Sequence, residues 1–406
     1  MKKTNNFLWV IGGSILQIPL IIEANKLGLK TIVSDINKNC VAKKYADKFV
    51  TLDIFDIEGH IQYLNNTDLN IVGVLAAGID APETMAAMNQ SLNIKSVPLD
   101  IALLVKNKDM FRTKMKSLDY PTPKFKIISK HNMDDMSEIL SEFKLPIIIK
   151  PTNNSASRDM KIFDSKNYEL IQFIKNNLSK YPKILIEEMW SGPEQTVECL
   201  IDYNGDFHKG FITDRIFSFK NGYPIEMGLV HPSQLDIDKQ NELYELAKKV
   251  ANDLEINIGA IKLDTIYTNE GPRIIELTVR HSGGFDCQYL VPRSTGKNIL
   301  KAAILTAIGQ QFNPELLKNK LHKFGMTSSI WPTPGKITLI KGVEDARQID
   351  GVEEIFLRYN IGDTIRPYSD CAARVIFIIV TGDSIAKVKN VLKLAKSYIT
   401  IQTEDI

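Results

Sequence analysis

Residues 258–280 read IGAIKLDTIYTNEGPRIIELTVR. Two β-rich stretches flank the turn signal Thr268-Asn269-Glu270-Gly271-Pro272, which predicts an antiparallel hairpin. Asp264 lies four residues before Thr268 and Glu276 four after Pro272, so a similar register sets the two carboxylates side by side. Adjacent acids in apolar strands are costly unless a positive charge neutralises them, and a divalent cation with oxygen ligands is one answer. The alternative is a pair of cross-strand partners for Lys262 or Arg280 on a solvated sheet face.

Working outward, 406 residues exceed what one hydrophobic core supports, and roughly two to four domains are expected. Lys+Arg 50 against Asp+Glu 48 leaves a formal charge of +2, with no basic field for nucleic acid or an anionic membrane. Cysteines 40, 199, 287 and 371 show no C-x-x-C spacing and fit reduced, mostly buried thiols of a cytoplasmic protein. The opening MKKTNNFLWVIGGSILQIPLIIEANKLG has lysines before an apolar run, but Gly12-Gly13-Ser14 and Glu23 interrupt it, as strand, turn and helix would. No stretch is long and apolar enough to span a bilayer.

Residues 6–35 predict a βαβ unit, and a third strand follows at 70–76 before a helix beginning near Pro82. The first hundred or so residues therefore form a doubly wound α/β domain. Its Gly12-Gly13-Ser14 turn lacks the third glycine of a dinucleotide fingerprint. A Lys/Arg-rich helix ends at Asp119 before Pro121-Thr122-Pro123, and places Lys108 and Arg112 on one face. KLPIIIKP then delivers Lys150 to the loop TNNSASRDM, where Ser155 and Ser157 can present backbone N–H groups to anionic oxygens. An ordinary hairpin turn is the alternative there. A strand at ILIEEM carries Glu187 and Glu188, and Trp190-Ser191-Gly192-Pro193-Glu194 turns the chain into the next strand.

Taken in this order, the elements resemble the ATP-grasp superfamily over residues 5–310. The combination is similar to the biotin carboxylase-like branch, which includes carbamoyl phosphate synthetase domains, purine-pathway carboxylases and L-amino acid ligases. The resemblance implies a mixed α/β and α+β protein: a doubly wound pre-ATP-grasp domain at 1–105, a two-lobed ATP-grasp domain at 106–312 with its lid near 122–185, and an α+β cap domain at 313–406. It also implies ATP and Mg²⁺ or Mn²⁺ as cofactors. Lys108 and Lys150 match the family's phosphate-binding lysines, Glu187 its adenine-hinge acid with Glu188 and Trp190 beside it, and Glu194 its ribose acid. Asp264 and Glu276 match its metal carboxylates, and Arg280 the catalytic arginine of E-x-N-x-R. Thr278 stands where that motif has asparagine, Asp264 where glutamate is commoner, and the phosphate loop lacks the usual glycines.

Beyond 313, GKITLIKG, GVEEI, IGDTI and RVIFIIVTGD look like the cap domain of L-amino acid ligases, as does FITDR followed by GLVHPSQL. Substrate contacts implied on this basis are Glu226, His231, Arg280, Ser282, Gly283, Gly284 and Arg293. The expected activity is ATP-dependent ligation of a small-molecule carboxylate to an amine or ammonia through an acylphosphate, releasing ADP and phosphate. The alternatives are an ATP-dependent carboxylase or carbamoyl-phosphate-like synthetase, and a non-catalytic nucleotide-binding protein. A homodimer is consistent with the resemblance.

Overall fold

The computed structural model describes residues 5–133, 135–371 and 374–405. The chain opens with a four-stranded parallel sheet in the order Lys48–Val50, Lys30–Ser34, Asn6–Ile11, Asn70–Ala76. Its strands are near-continuous apolar runs because helices such as Ile18–Lys26 and Pro82–Ser91 cover it. Trp9, Leu20 and Ile32 are fully buried in the shared core. The predicted Lys/Arg-rich helix is two helices, Leu99–Lys106 and Lys108–Ser117, broken at Asn107, whose extended backbone starts the second helix at Lys108.

A second, antiparallel sheet has the order Phe125–Ser129, Lys183–Glu188, Ile147–Pro151, Lys161–Phe163. The helix Tyr168–Lys180 packs Leu170, Ile174 and Leu178 against it. The largest sheet has eight strands, in the order Gly271–Thr278, Gly259–Thr268, Glu194–Ile201, Phe207–Lys220, Tyr223–His231, Phe324–Ile330, Ile376–Gly382, Val352–Leu357. Strands on both sides of the expected boundary at 312/313 thus share this sheet, through the pairing of Val230 with Met326. A three-stranded sheet, Thr364–Ile365, Gly335–Lys341, Thr400–Glu404, completes the C-terminal part, where the helix Ile385–Tyr398 buries Val388, Val391 and Leu392.

Period-two alternation builds the site on the large sheet. Val197, Cys199, Ile261, Leu263, Leu277 and Val279 point to one face and pack against Leu243, Ala247 and Val250 of the helix Ile237–Asp253. The residues between them, Thr196, Glu198, Lys262, Asp264, Glu276 and Thr278, fall on the opposite face. There the four-stranded antiparallel sheet, the N-terminal domain and the C-terminal part enclose a cleft of about 540 Å³.

Candidate nucleotide and metal site

The hairpin is Gly259–Thr268 and Gly271–Thr278, and Asp264 stands directly opposite Glu276. A bulge makes that pairing. From Thr268↔Gly271 the register runs evenly to Thr265↔Ile274, then skips Ile275 to give Asp264↔Glu276. Without the extra residue Asp264 would face Ile275 and the two acids would not be opposed. Arg112 holds this irregularity: it donates from Nη1 to the Ile274 carbonyl (3.0 Å) and from Nη2 to the Ile275 carbonyl (2.9 Å).

The same guanidinium donates from Nε to Glu187 (2.5 Å), and Lys150 forms a second ion pair with that carboxylate. Burial opposes ionisation of Glu187, but Arg112 and then Lys150 outweigh it and hold the carboxyl at about 2. The arrangement corrects the reading of Glu187 as a group facing an adenine: it is a buried counter-ion beneath the cleft wall. Glu188 accepts from the Lys144 amide (2.7 Å), and Trp190 lies 5.9 Å from the Arg112 guanidinium; neither lines the cleft, whereas Met189 does. Because the folded value lies below the ordinary 4.5, Glu187 contributes stability that is complete above pH 4.5 and is lost as pH falls toward about 2. Urea unfolding across that interval is expected to show the loss in the wild type and a smaller one in Glu187→Gln.

Lys108 donates from Nζ to Glu276 (3.1 Å) and to the Asn154 carbonyl (2.6 Å), bridging the hairpin and the small-residue loop. That loop needs no glycine to turn: Ala156 and Ser157 both take left-handed backbone, at φ 58 in each case. This costs about 1–2 kcal/mol per residue. Arg158 folds back onto Ser155, through its carbonyl (3.1 Å) and hydroxyl (3.0 Å), and the Cys371 amide donates to the Ala156 carbonyl (3.3 Å).

Arg215, unassigned from the sequence although it ends the FITDR stretch, is the hub of the cleft floor. It pairs with Glu194 (3.2 Å), Glu226 (2.9 Å) and Asp264 (3.4 Å), and Arg374 from the C-terminal part reaches Glu226 from the far side (3.5 Å). Asp264 also pairs with Lys262 (2.5 Å) and accepts from Thr196 (3.0 Å). Burial opposes its ionisation, but Arg215 and then Lys262 prevail, holding it at about 2. Asp264 is thus ion-paired, but with Lys262 of its own strand and with Arg215, and in a buried setting rather than on a solvated face. At the hairpin's end, Arg280 approaches Asp80 of the N-terminal domain (3.7 Å). Glu198 fixes the loop that follows, accepting from the Ser282 amide (2.7 Å) and bonding to His281 Nδ1 (2.8 Å), while the Gly78 amide donates to the His281 carbonyl (3.1 Å). Gly284 is left-handed (φ 68), and a side chain there would come within 3.1 Å of Leu229.

Lys108, Lys150, Ser155, Ser157, Glu194, Glu226, Asp264, Glu276, Thr278, Arg280, Ser282, Gly283 and Gly284 all line the one cleft. His231 and Arg293 do not. His231 is buried against the Ser294 hydroxyl (2.9 Å), and burial, then Lys297, pushes its imidazole down to about 3. Arg293 is half exposed and pairs with Glu353 and Glu354 of the C-terminal part. Both expected substrate contacts are thus corrected by placement: one is a core group, the other a surface ion pair.

The donors around the hairpin suit a hard divalent ion: the opposed carboxylates of Asp264 and Glu276, plus a buried Thr278 hydroxyl with no hydrogen-bond partner among the described residues.

A family model described as D-ala D-ala ligase C-terminus matches residues 114–295, and one described as L-amino acid ligase C-terminal domain 2 matches 329–404. The structure superposes on an L-amino acid ligase from Bacillus licheniformis with TM-score 0.81 and 21% identity, covering 100% of both chains. Its fold is that of the ATP-grasp ligases. A phosphoribosylglycinamide synthetase from Anaerococcus prevotii superposes at TM-score 0.76 and 22% identity, over 98% of this chain and 100% of its own. A formate-dependent phosphoribosylglycinamide formyltransferase from Prochlorococcus marinus is 26% identical over 44% of this chain. The match spans 46% of that relative's length. No helix among the described residues is long and apolar enough to cross a membrane, and all four cysteines are free.

Proposed function

We propose that this chain is an ATP-dependent ligase that joins a small-molecule carboxylate to an amine or ammonia through an acylphosphate, releasing ADP and phosphate. The observation that carries the reading is the opposition of Asp264 and Glu276 inside a cleft that also presents Lys108, Lys150 and Arg280. Phosphoryl transfer between anions asks for positioning and positive charge rather than covalent help from the protein. In the free chain, Lys108 rests on Glu276 and Lys150 on Glu187. A triphosphate entering the cleft competes for both ammonium groups, and the released Glu276 becomes available beside Asp264. A magnesium ion held by Asp264, Glu276 and the Thr278 hydroxyl would neutralise phosphate charge as the transfer proceeds. The loop with its left-handed turn at Ala156 and Ser157 lines the cleft, where its amide groups would receive the phosphates.

Arg280, whose Nε has no hydrogen-bond partner among the described residues and whose Nη2 is near Asp80, would hold the oxygen that becomes anionic when an amine attacks the acylphosphate. Ser282, Gly283 and Gly284 would line the acceptor end beside it. The four-stranded sheet over the cleft would exclude water while the acylphosphate lasts. The L-amino acid ligase match at 329–404 supports amino acids as the first substrates to try.

The test is ADP and phosphate release from Mg-ATP across amino acids, sugar acids and bicarbonate, each with and without an amine. Amine-dependent release with a carboxylate is expected. Release that needs bicarbonate would instead favour a carboxylase, and ATP binding without turnover on any acceptor would leave only a nucleotide-binding role.

A further inference from the structure

On its cleft face the hairpin carries a basic residue, Lys262, that the proposed reaction has not used. Lys262 is two residues from Asp264, on the same face of the strand, and lies opposite Thr278 on one side and Glu198 on the other. Its ammonium is 2.5 Å from Asp264 Oδ1, and its side chain is only 12% exposed while still lining the cleft. The two acids of the hairpin are therefore unequal. Asp264 already receives Lys262 and Thr196 (3.0 Å) on Oδ1 and Arg215 (3.4 Å) on Oδ2. Glu276 has Lys108 (3.1 Å), and its side chain is 30% exposed.

Phosphoryl-transfer sites use either one divalent ion or two lying about 3.5–4 Å apart, the second needing its own anionic oxygens. Beside Asp264 and Glu276, the next cross-strand pair on this face is Lys262 and Thr278, an ammonium and a neutral hydroxyl. That pair supplies positive charge where a second ion would need negative ligands. Lysine is a compact point charge suited to the substitution. Resting on the ligase reading above, we propose that Lys262 is a fixed cation in the place of a second divalent ion, so that the nucleotide complex of this chain holds a single metal ion. The hydroxyl at 278 follows from the same arrangement, since no second ion is there to be bound by a stronger ligand.

The test counts Mn²⁺ bound to the full chain at one adenylyl imidodiphosphate per chain, from the free-ion signal in electron paramagnetic resonance. The wild type and Lys262→Arg are expected to bind one ion per complex. Lys262→Glu, which replaces the ammonium by a carboxylate, supplies the missing anionic oxygens and is expected to bind two. Two ions in the wild type, or one in a folded Lys262→Glu, overturn the inference, and the wild-type count decides even if the variant is unstable. Two ions in the wild type with turnover intact would leave the ligase reading standing. Absence of nucleotide-dependent Mn²⁺ binding would bring down both.

Discussion

Glu276→Gln is expected to lower ATP-dependent turnover by about 10²–10³-fold, the range seen when one preorganised charge-stabilising group is removed from an active site. The change is nearly isosteric, and among the described residues Glu276 has Lys108 as its one ion-pair partner, at a side-chain exposure of 30%. A partly exposed pair of this kind contributes at most about 1 kcal/mol, so the melting temperature should move little. Asp264→Asn provides the contrast. That carboxylate is buried among Arg215, Lys262 and Thr196, so neutralising it leaves two cations short of a partner and should cost stability along with activity. Steady-state rates and thermal melts of the two variants separate the roles. A near-wild-type rate in Glu276→Gln would remove Glu276 from the metal site.

Arg112→Ala is expected to destabilise the fold by about 3–5 kcal/mol, the usual cost of removing one partner from a buried ion pair. Its guanidinium serves three acceptors on two elements: Glu187, the Ile274 carbonyl and the Ile275 carbonyl. Truncation leaves Glu187 with Lys150 as its remaining cation and strips both carbonyls of their donor at the bulge that opposes Asp264 and Glu276. Lysine cannot span the three, because its single ammonium lacks the planar fork. Arg112→Lys should therefore weaken metal-dependent nucleotide binding even where the chain still folds. Urea unfolding and nucleotide titration with and without Mg²⁺ measure the two effects. Wild-type stability and binding in Arg112→Lys would show that the bulge does not depend on this contact.

Much of the architecture was legible because it rests on local periodicity. The alternation of Ile261, Leu263, Leu277 and Val279 with Lys262, Asp264, Glu276 and Thr278 separates a core face from a polar one in the sequence, and the hairpin pairs as that alternation requires. Lys150 was legible for a similar reason, since it sits near the end of a recognisable apolar strand that reaches the cleft, whereas Lys108 was read within one helix that the structure divides at Asn107. His231 and Arg293 were misplaced because sequence proximity to a substrate-like stretch says nothing about which way a side chain turns. His231 ends a strand facing the core, and Arg293 sits in the middle of the short helix Val291–Thr295 and meets Glu353 and Glu354.

By itself, then, the sequence determined the element order, the polar face of the hairpin and the supply of acids and lysines, all of which follow from patterns within a few residues. The tertiary structure decided the rest. The Ile275 bulge sets the register of the two carboxylates, and Arg112, 163 residues away, stabilises it. Contacts between separate elements also turn Glu187 into a counter-ion and make Arg215 the hub of three acids. Charge pairing of this kind depends on distances of a few ångströms between strands, and only the folded chain fixes those.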